Sequence, residues 1–124
     1  MEVLKFYASP ILTLENINSI TSNVHLMRME AKENYPCDTS PKGLHKDGEN
    51  FICVYLLNKS NVKGGINCIT DNNKNILDQF SLDKIGESYI IKDEMVWHSL
   101  SPVECKDESS IAIRDTLLID FIID

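Results

Sequence analysis

"GLHKDGENFICVYLL", residues Gly43–Leu57, passes from a polar turn carrying His45 and Asp47 into an unbroken apolar run. The run "FICVYLL" is β-branched and aromatic, the composition of a strand. The turn before it has two readings. On a strand, residues i and i+2 point to one face, so His45 and Asp47 can converge on one metal ion. A solvated turn ending in Asp47-Gly48 uses the same residues with no chemistry at all. The rest of the chain has to decide between them.

Downstream, strand and turn signals alternate. "NKSNVKGG" reads as a turn, "INCIT" as a strand and "DNNKN" as a tight polar turn. "ILDQFSL", "GESYIIKDE" and "MVWHSLSPV" read as further strands, and "ECKDESS" as a charged loop. "IAIRDTLLIDFIID" closes the chain with length for one bent strand or two. Short strands at regular spacing between polar turns predict a sandwich, jelly roll or barrel. Upstream, the spacing of Leu14, Ile17, Ile20 and Val24 predicts one helix, with Thr13 as its cap, Glu15 in its first turn and Asn23 as its stop. "VHLMRMEA" then reads as extended, and "ENYPCDTSPKG", with two prolines, as a loop.

The bulk properties narrow the function. The chain has 124 residues, 43% hydrophobic and 25% charged, which suits a single folded domain spanning 1–124. A net charge of -7 and a pI near 4.9 repel phosphate backbones, which argues against nucleic acid and anionic membranes as partners. No run approaches the roughly 20 apolar residues of a membrane-spanning helix, and "MEVLKFYASPILTLEN" does not read as a signal peptide. Cys37, Cys53, Cys68 and Cys105 form no C-x-x-C pair and read as reduced thiols of a cytoplasmic protein. There is no nucleophile elbow, phosphate loop or cysteine zinc site in the sequence, and the sequon at Asn58 carries no meaning in that compartment.

Two further residues bear on the His-x-Asp turn. His98 in "MVWHSL" shares a strand face with Val96 and Leu100, either as a satisfied core histidine or as a ligand. Arg114 in "IAIRDTLLIDF" is costly to bury without an anion. It needs an ion-pair partner such as Asp115 or Asp120, or an anionic ligand. Two histidines and one carboxylate form the facial triad of non-haem Fe(II) oxygenases. Asp47 and His98 lie 51 residues apart, enough for four strand-like runs, and a jelly roll brings the ends of such a segment together. His25 and Arg28, in "VHLMRM", lie on opposite faces and read as edge-strand residues, with contact to a substrate as the alternative.

At these residues the sequence resembles the small bacterial 2-oxoglutarate/Fe(II)-dependent dioxygenases that hydroxylate free amino acids, the group of the isoleucine hydroxylases. The matching blocks are "GLHKDGENFICVYLL", "NVKGGINCITDNNKN", "MVWHSLSPV" and "RDTLLIDF", and the likeness runs from about Val24 to the C-terminus. The resemblance implies a double-stranded β-helix, that is, a cupin-like jelly roll with an all-β core, beside the short N-terminal helix. It implies His45, Asp47 and His98 as iron ligands and Arg114 as the partner of the far carboxylate of the cosubstrate 2-oxoglutarate. Thr116 occupies the hydroxyl position of an Arg-x-Ser/Thr pattern. The implied reaction couples decarboxylation of 2-oxoglutarate, giving succinate and carbon dioxide, to hydroxylation of a small molecule.

The chain also departs from the family, whose members carry more, mostly helical, sequence ahead of the barrel. A natural short form, a truncated relative and a chain completed by a second subunit all fit. The sheet is rich in Val, Ile and Leu, so an uncovered apolar face is expected and a homo-oligomer stays open. The competing function is a non-catalytic or differently metallated cupin-like binding protein, which has no need of an arginine set against the metal.

Overall fold

The apolar runs become strands, and their alternation decides which side of each faces the interior. The computed structural model describes residues 8–13, 15, 19–39 and 41–123. These contain β1 (Ile20–Ala31), β2 (Phe51–Ser60), β3 (Val62–Gly64), β4 (Asn67–Thr70), β5 (Ile76–Phe80), β6 (Ser88–Lys92), β7 (Trp97–Leu100), β8 (Val103–Cys105) and β9 (Ala112–Ile123). A four-stranded antiparallel sheet has the order β1-β9-β2-β6. A three-stranded sheet, β5-β4-β7, and the pair β3-β8 form the other layer. The architecture is the jelly roll expected.

β9 is the spine of the large sheet. Its odd-numbered residues Leu117, Ile119 and Phe121 pack with Phe51 and Cys53 of β2 and with Ile11. Ile119 and Phe121 are fully buried, each contributing about 1.5–3 kcal/mol of hydrophobic stabilisation. The even-numbered residues Arg114, Thr116 and Leu118 face the opposite way, into the cavity between the layers. A polar site and an apolar core thus occupy the two sides of one strand.

The second layer contains a long antiparallel ladder bent in the middle, with β3 and β4 running against β8 and β7. β3 and β4 are separated at Gly65-Ile66, and β8 and β7 at Ser101-Pro102. Gly65 N–H donates to the Pro102 carbonyl, and Ser101 N–H to that of Ile66. Gly64 has φ +77°, and a Cβ there would collide with the Pro102 carbonyl oxygen, so the bend requires glycine. The same layer gains an extra rung at His45, whose backbone pairs with that of His98 in both directions, at 2.9 and 3.0 Å.

Several expectations are corrected. The helix lies earlier than expected, at residues 8–13. Thr13 does not cap it, and its hydroxyl donates back to the Ser9 carbonyl at 3.0 Å. Ile20, Asn23 and Val24 belong to β1, because twelve consecutive pairings with β9 outweigh a helical spacing; Leu14 and Ile17 lie outside the described residues. "NKSNVKGG" is not a turn. β2 runs on to Ser60, Asn61 (φ 56°) carries the chain over to the second layer, and "VKG" is β3, paired with β8. Five strands, β2–β6, rather than four separate Asp47 from His98. The closing run is one strand. The uncovered face is present in part: Leu26 is 78% exposed and lies with Val24 and Ile90 on the outer side of the large sheet.

Candidate metal centre

His45, Asp47 and His98 meet at one end of the cavity, and one ligand atom from each lies within 4.8 Å of the others. The rung between His45 and His98 sets their rings side by side, 4.3 Å between centroids at 66°. Asp47 bridges them, with one carboxylate oxygen 3.4 Å from His45 Nε2 and the other 3.4 Å from His98 Nε2. Nδ1 of His45 is hydrogen-bonded to the Gly43 carbonyl at 2.8 Å, which makes it the protonated nitrogen and leaves Nε2 free to act as a ligand. The hydrogen bond with His98 holds the Asp47 carboxyl below its usual range, against the opposing effect of partial burial. Asp47 is therefore a carboxylate at neutral pH.

The donor set fits a divalent transition metal. Taking one ligand atom from each residue, the three lie within 4.8 Å of one another, compact enough to converge on one ion at about 2.0–2.2 Å from each. Two imidazoles and one carboxylate on one side leave the cavity side open, as in non-haem iron sites.

Arg114 and Thr116 line the same cavity, which has a volume of about 360 Å³, within the range of small-molecule sites. Arg114 is 4% exposed and Thr116 2%. Burial holds the Arg114 guanidinium below its ordinary pKa, and the Tyr89 phenol acts in the opposite direction. Among the described residues no carboxylate contributes. Asp115 and Asp120 therefore do not pair with Arg114. Asp115 points to the other face and binds Arg28 through two hydrogen bonds of 2.8 and 2.9 Å. Asp120 sits 3.4 Å from His25. His25 and Arg28 lie on the edge strand β1 with a carboxylate engaging each side chain, and Arg28 is also among the residues lining the cavity.

The sequence reading missed three residues. Tyr89 on β6 and Asn67 on β4 line the cavity, and burial pushes the Tyr89 hydroxyl up to about 12. Strand alternation was the signal for both. Asp93 is buried in the 3-10 turn Asp93–Met95, behind the triad; nothing local in "IIKDEM" marked it out.

A sequence profile described as 2OG-Fe dioxygenase matches residues 1–120. The chain belongs to the 2OG-Fe dioxygenase family. As that name states, its members work with iron and 2-oxoglutarate. The chain is 32% identical over 106 residues to 3(1)-hydroxy-L-isoleucine 4-dioxygenase of Pantoea ananatis, covering 85% of this chain and 42% of that protein. It is also 32% identical over 111 residues to L-isoleucine-4-hydroxylase of Bacillus thuringiensis, covering 87% and 45%. The crystal structure of IDO from Bacillus thuringiensis superposes with a TM-score of 0.89 at 27% identity, over 99% of this chain and 59% of that one. The chain thus spans less than half the length of the two curated relatives.

Proposed function

We propose that this dioxygenase-family chain binds Fe(II) through His45, Asp47 and His98 and hydroxylates a free amino acid in a 2-oxoglutarate-dependent reaction. The observation that carries the reading is Arg114: a guanidinium 4% exposed, facing the cavity, with no carboxylate partner among the described residues. A buried cation left in that state calls for an anionic ligand. The far carboxylate of 2-oxoglutarate matches the planar fork of arginine, and Thr116, two residues along the same face, supplies a hydroxyl donor. Bound at the triad, the metal and cosubstrate supply decarboxylation to succinate and carbon dioxide, coupled to hydroxylation of an unactivated C–H bond.

The chain's own part is placement. Tyr89 keeps its proton and adds a neutral donor beside Arg114. Met27, Met29, Leu100 and Leu118 give the cavity an apolar wall suited to an aliphatic side chain. The names of the two relatives make L-isoleucine and 3(1)-hydroxy-L-isoleucine the first substrates to test. No described helix is long and apolar enough to cross a membrane, and none of the four cysteines is in a disulfide; a cytoplasmic setting suits both. The acidic surface speaks against nucleic acid as a partner, and the exposed apolar strip around Leu26 is where a second subunit would be expected.

The test is turnover. Incubated with Fe(II), 2-oxoglutarate, oxygen and L-isoleucine, the protein should form succinate and a product 16 mass units heavier in equal amounts, by the stoichiometry of the reaction. Binding of metal and 2-oxoglutarate with no succinate from any amino acid would favour the cupin-like binding protein instead.

A further inference from the structure

Behind the triad, a buried carboxylate touches both segments that carry it. Asp93 is 2% exposed. One of its oxygens accepts the backbone N–H of Asp47 at 3.1 Å and the other that of Gly48 at 2.9 Å. The first oxygen also stands 4.0 Å from Nδ1 of His98. That nitrogen is buried and has no hydrogen-bond partner among the described residues. A buried polar atom without a partner is rare and costly. The opposite nitrogen of the ring, Nε2, faces Asp47 and the candidate metal position.

The turn bearing Asp93 is fixed from the other side by the residue between the two ligands of the His-x-Asp turn. Lys46 donates from Nζ to the carbonyls of Asp93, Glu94 and Val96 at 3.0, 3.1 and 2.7 Å. Lys46 therefore holds the Asp93 turn, and Asp93 holds the backbone of Asp47 and Gly48. Asp93 N–H in turn donates to the Asn50 carbonyl at 3.0 Å.

We infer that Asp93 is a positioning residue for the metal centre: its carboxylate takes the Nδ1–H of His98 when a metal engages Nε2, while its bonds to Asp47 and Gly48 keep the carboxylate ligand in place. The inference rests on the triad being a metal site. A carboxylate behind a ligating imidazole fixes its tautomer and orientation and raises its basicity, and loss of such a partner lowers metal affinity by roughly 10–100-fold. Asp93→Asn keeps the shape but offers an amide in place of one acceptor oxygen, so it cannot serve two backbone N–H groups and an imidazole N–H together.

The experiment uses Zn(II) as a diamagnetic probe and reads the imidazole nitrogens of His98 by long-range proton–nitrogen NMR, with Zn(II) affinity measured by calorimetry. In the wild-type protein with Zn(II), His98 should carry its proton on Nδ1, with slow exchange and a downfield shift. Asp93→Asn should lose that signature and bind Zn(II) roughly 10–100-fold more weakly. A wild-type spectrum in which Nδ1 of His98 carries no protected proton would overturn the inference even if the variant failed to fold. So would an Asp93→Asn protein with unchanged affinity and tautomer. Wild-type protein that takes up no Zn(II) would instead overturn the metal centre itself, and the inference with it.

Discussion

Arg28 and Arg114 sit one pairing apart on adjacent strands, since Arg28 pairs with Asp115 and Met29 with Arg114. Their surroundings differ in every respect. Arg28 is exposed on the outer face, and its guanidinium is held by both oxygens of Asp115. That contact raises its pKa, the hydrogen bond first and the charge second. Arg114 is buried on the inner face, lowered by desolvation, with a phenol for company. The first arginine is a finished surface ion pair. The second has the environment of a cation whose anion belongs to a ligand. Strand alternation puts the one guanidinium in an ion pair with Asp115 and leaves the other, buried against the cavity, with no carboxylate partner among the described residues.

The largest effect that can break this contrast lies at the metal. His45→Ala or Asp47→Ala should abolish Mn(II) binding in calorimetric titration, and with it 2-oxoglutarate binding. Retained cosubstrate affinity without metal would mean that Arg114 holds an anion independently of the triad. The next effect is at Thr116. Thr116→Val keeps the volume and removes the hydroxyl, so it should cost about 1.5–3 kcal/mol of 2-oxoglutarate binding, roughly ten- to a hundredfold, with little change in melting temperature.

A smaller effect concerns Tyr89 and pH. Its hydroxyl is raised from the ordinary value near 10 to about 12 by burial. The neutral phenol's contribution to stability is therefore fully present below pH about 10 and is lost as the pH rises through about 12. Tyr89→Phe should flatten the fall of melting temperature in that window, and an unchanged alkaline profile would count against the phenol's burial. The smallest effect belongs to Arg28. Arg28→Ala breaks an exposed pair, so it should lower the melting temperature only slightly. A marked loss of 2-oxoglutarate affinity in that variant would erase the distinction between the two arginines.

Much of the site was legible because strand geometry is. Period-two alternation placed His45 with Asp47 and put His98 on the inner face, while Thr116 beside Arg114 came from the family resemblance. Short runs between polar turns gave a sandwich, jelly roll or barrel, and the family resemblance selected the jelly roll among them. The N-terminal helix was misplaced because Ile20 and Val24 satisfy both a helical spacing and a strand edge, and only pairing with β9 decides. The Gly64 bend was taken for a turn because Gly-Gly signals backbone freedom without saying whether the chain reverses or kinks. Asp93 was invisible, since its importance comes from the Asp47 and Gly48 amides and the His98 nitrogen, residues brought to it by the fold.

The most direct test of the account is one set of titrations of 2-oxoglutarate into Mn(II)-loaded protein, anaerobically, for wild type, Arg114→Lys and Arg28→Lys. The account predicts equal affinity for wild type and Arg28→Lys. It predicts that Arg114→Lys binds at least about tenfold more weakly, because an ammonium cannot reproduce the bidentate fork, while Mn(II) affinity stays the same in all three. Equal 2-oxoglutarate affinity in all three proteins would contradict the assignment of Arg114 and remove the main support for turnover.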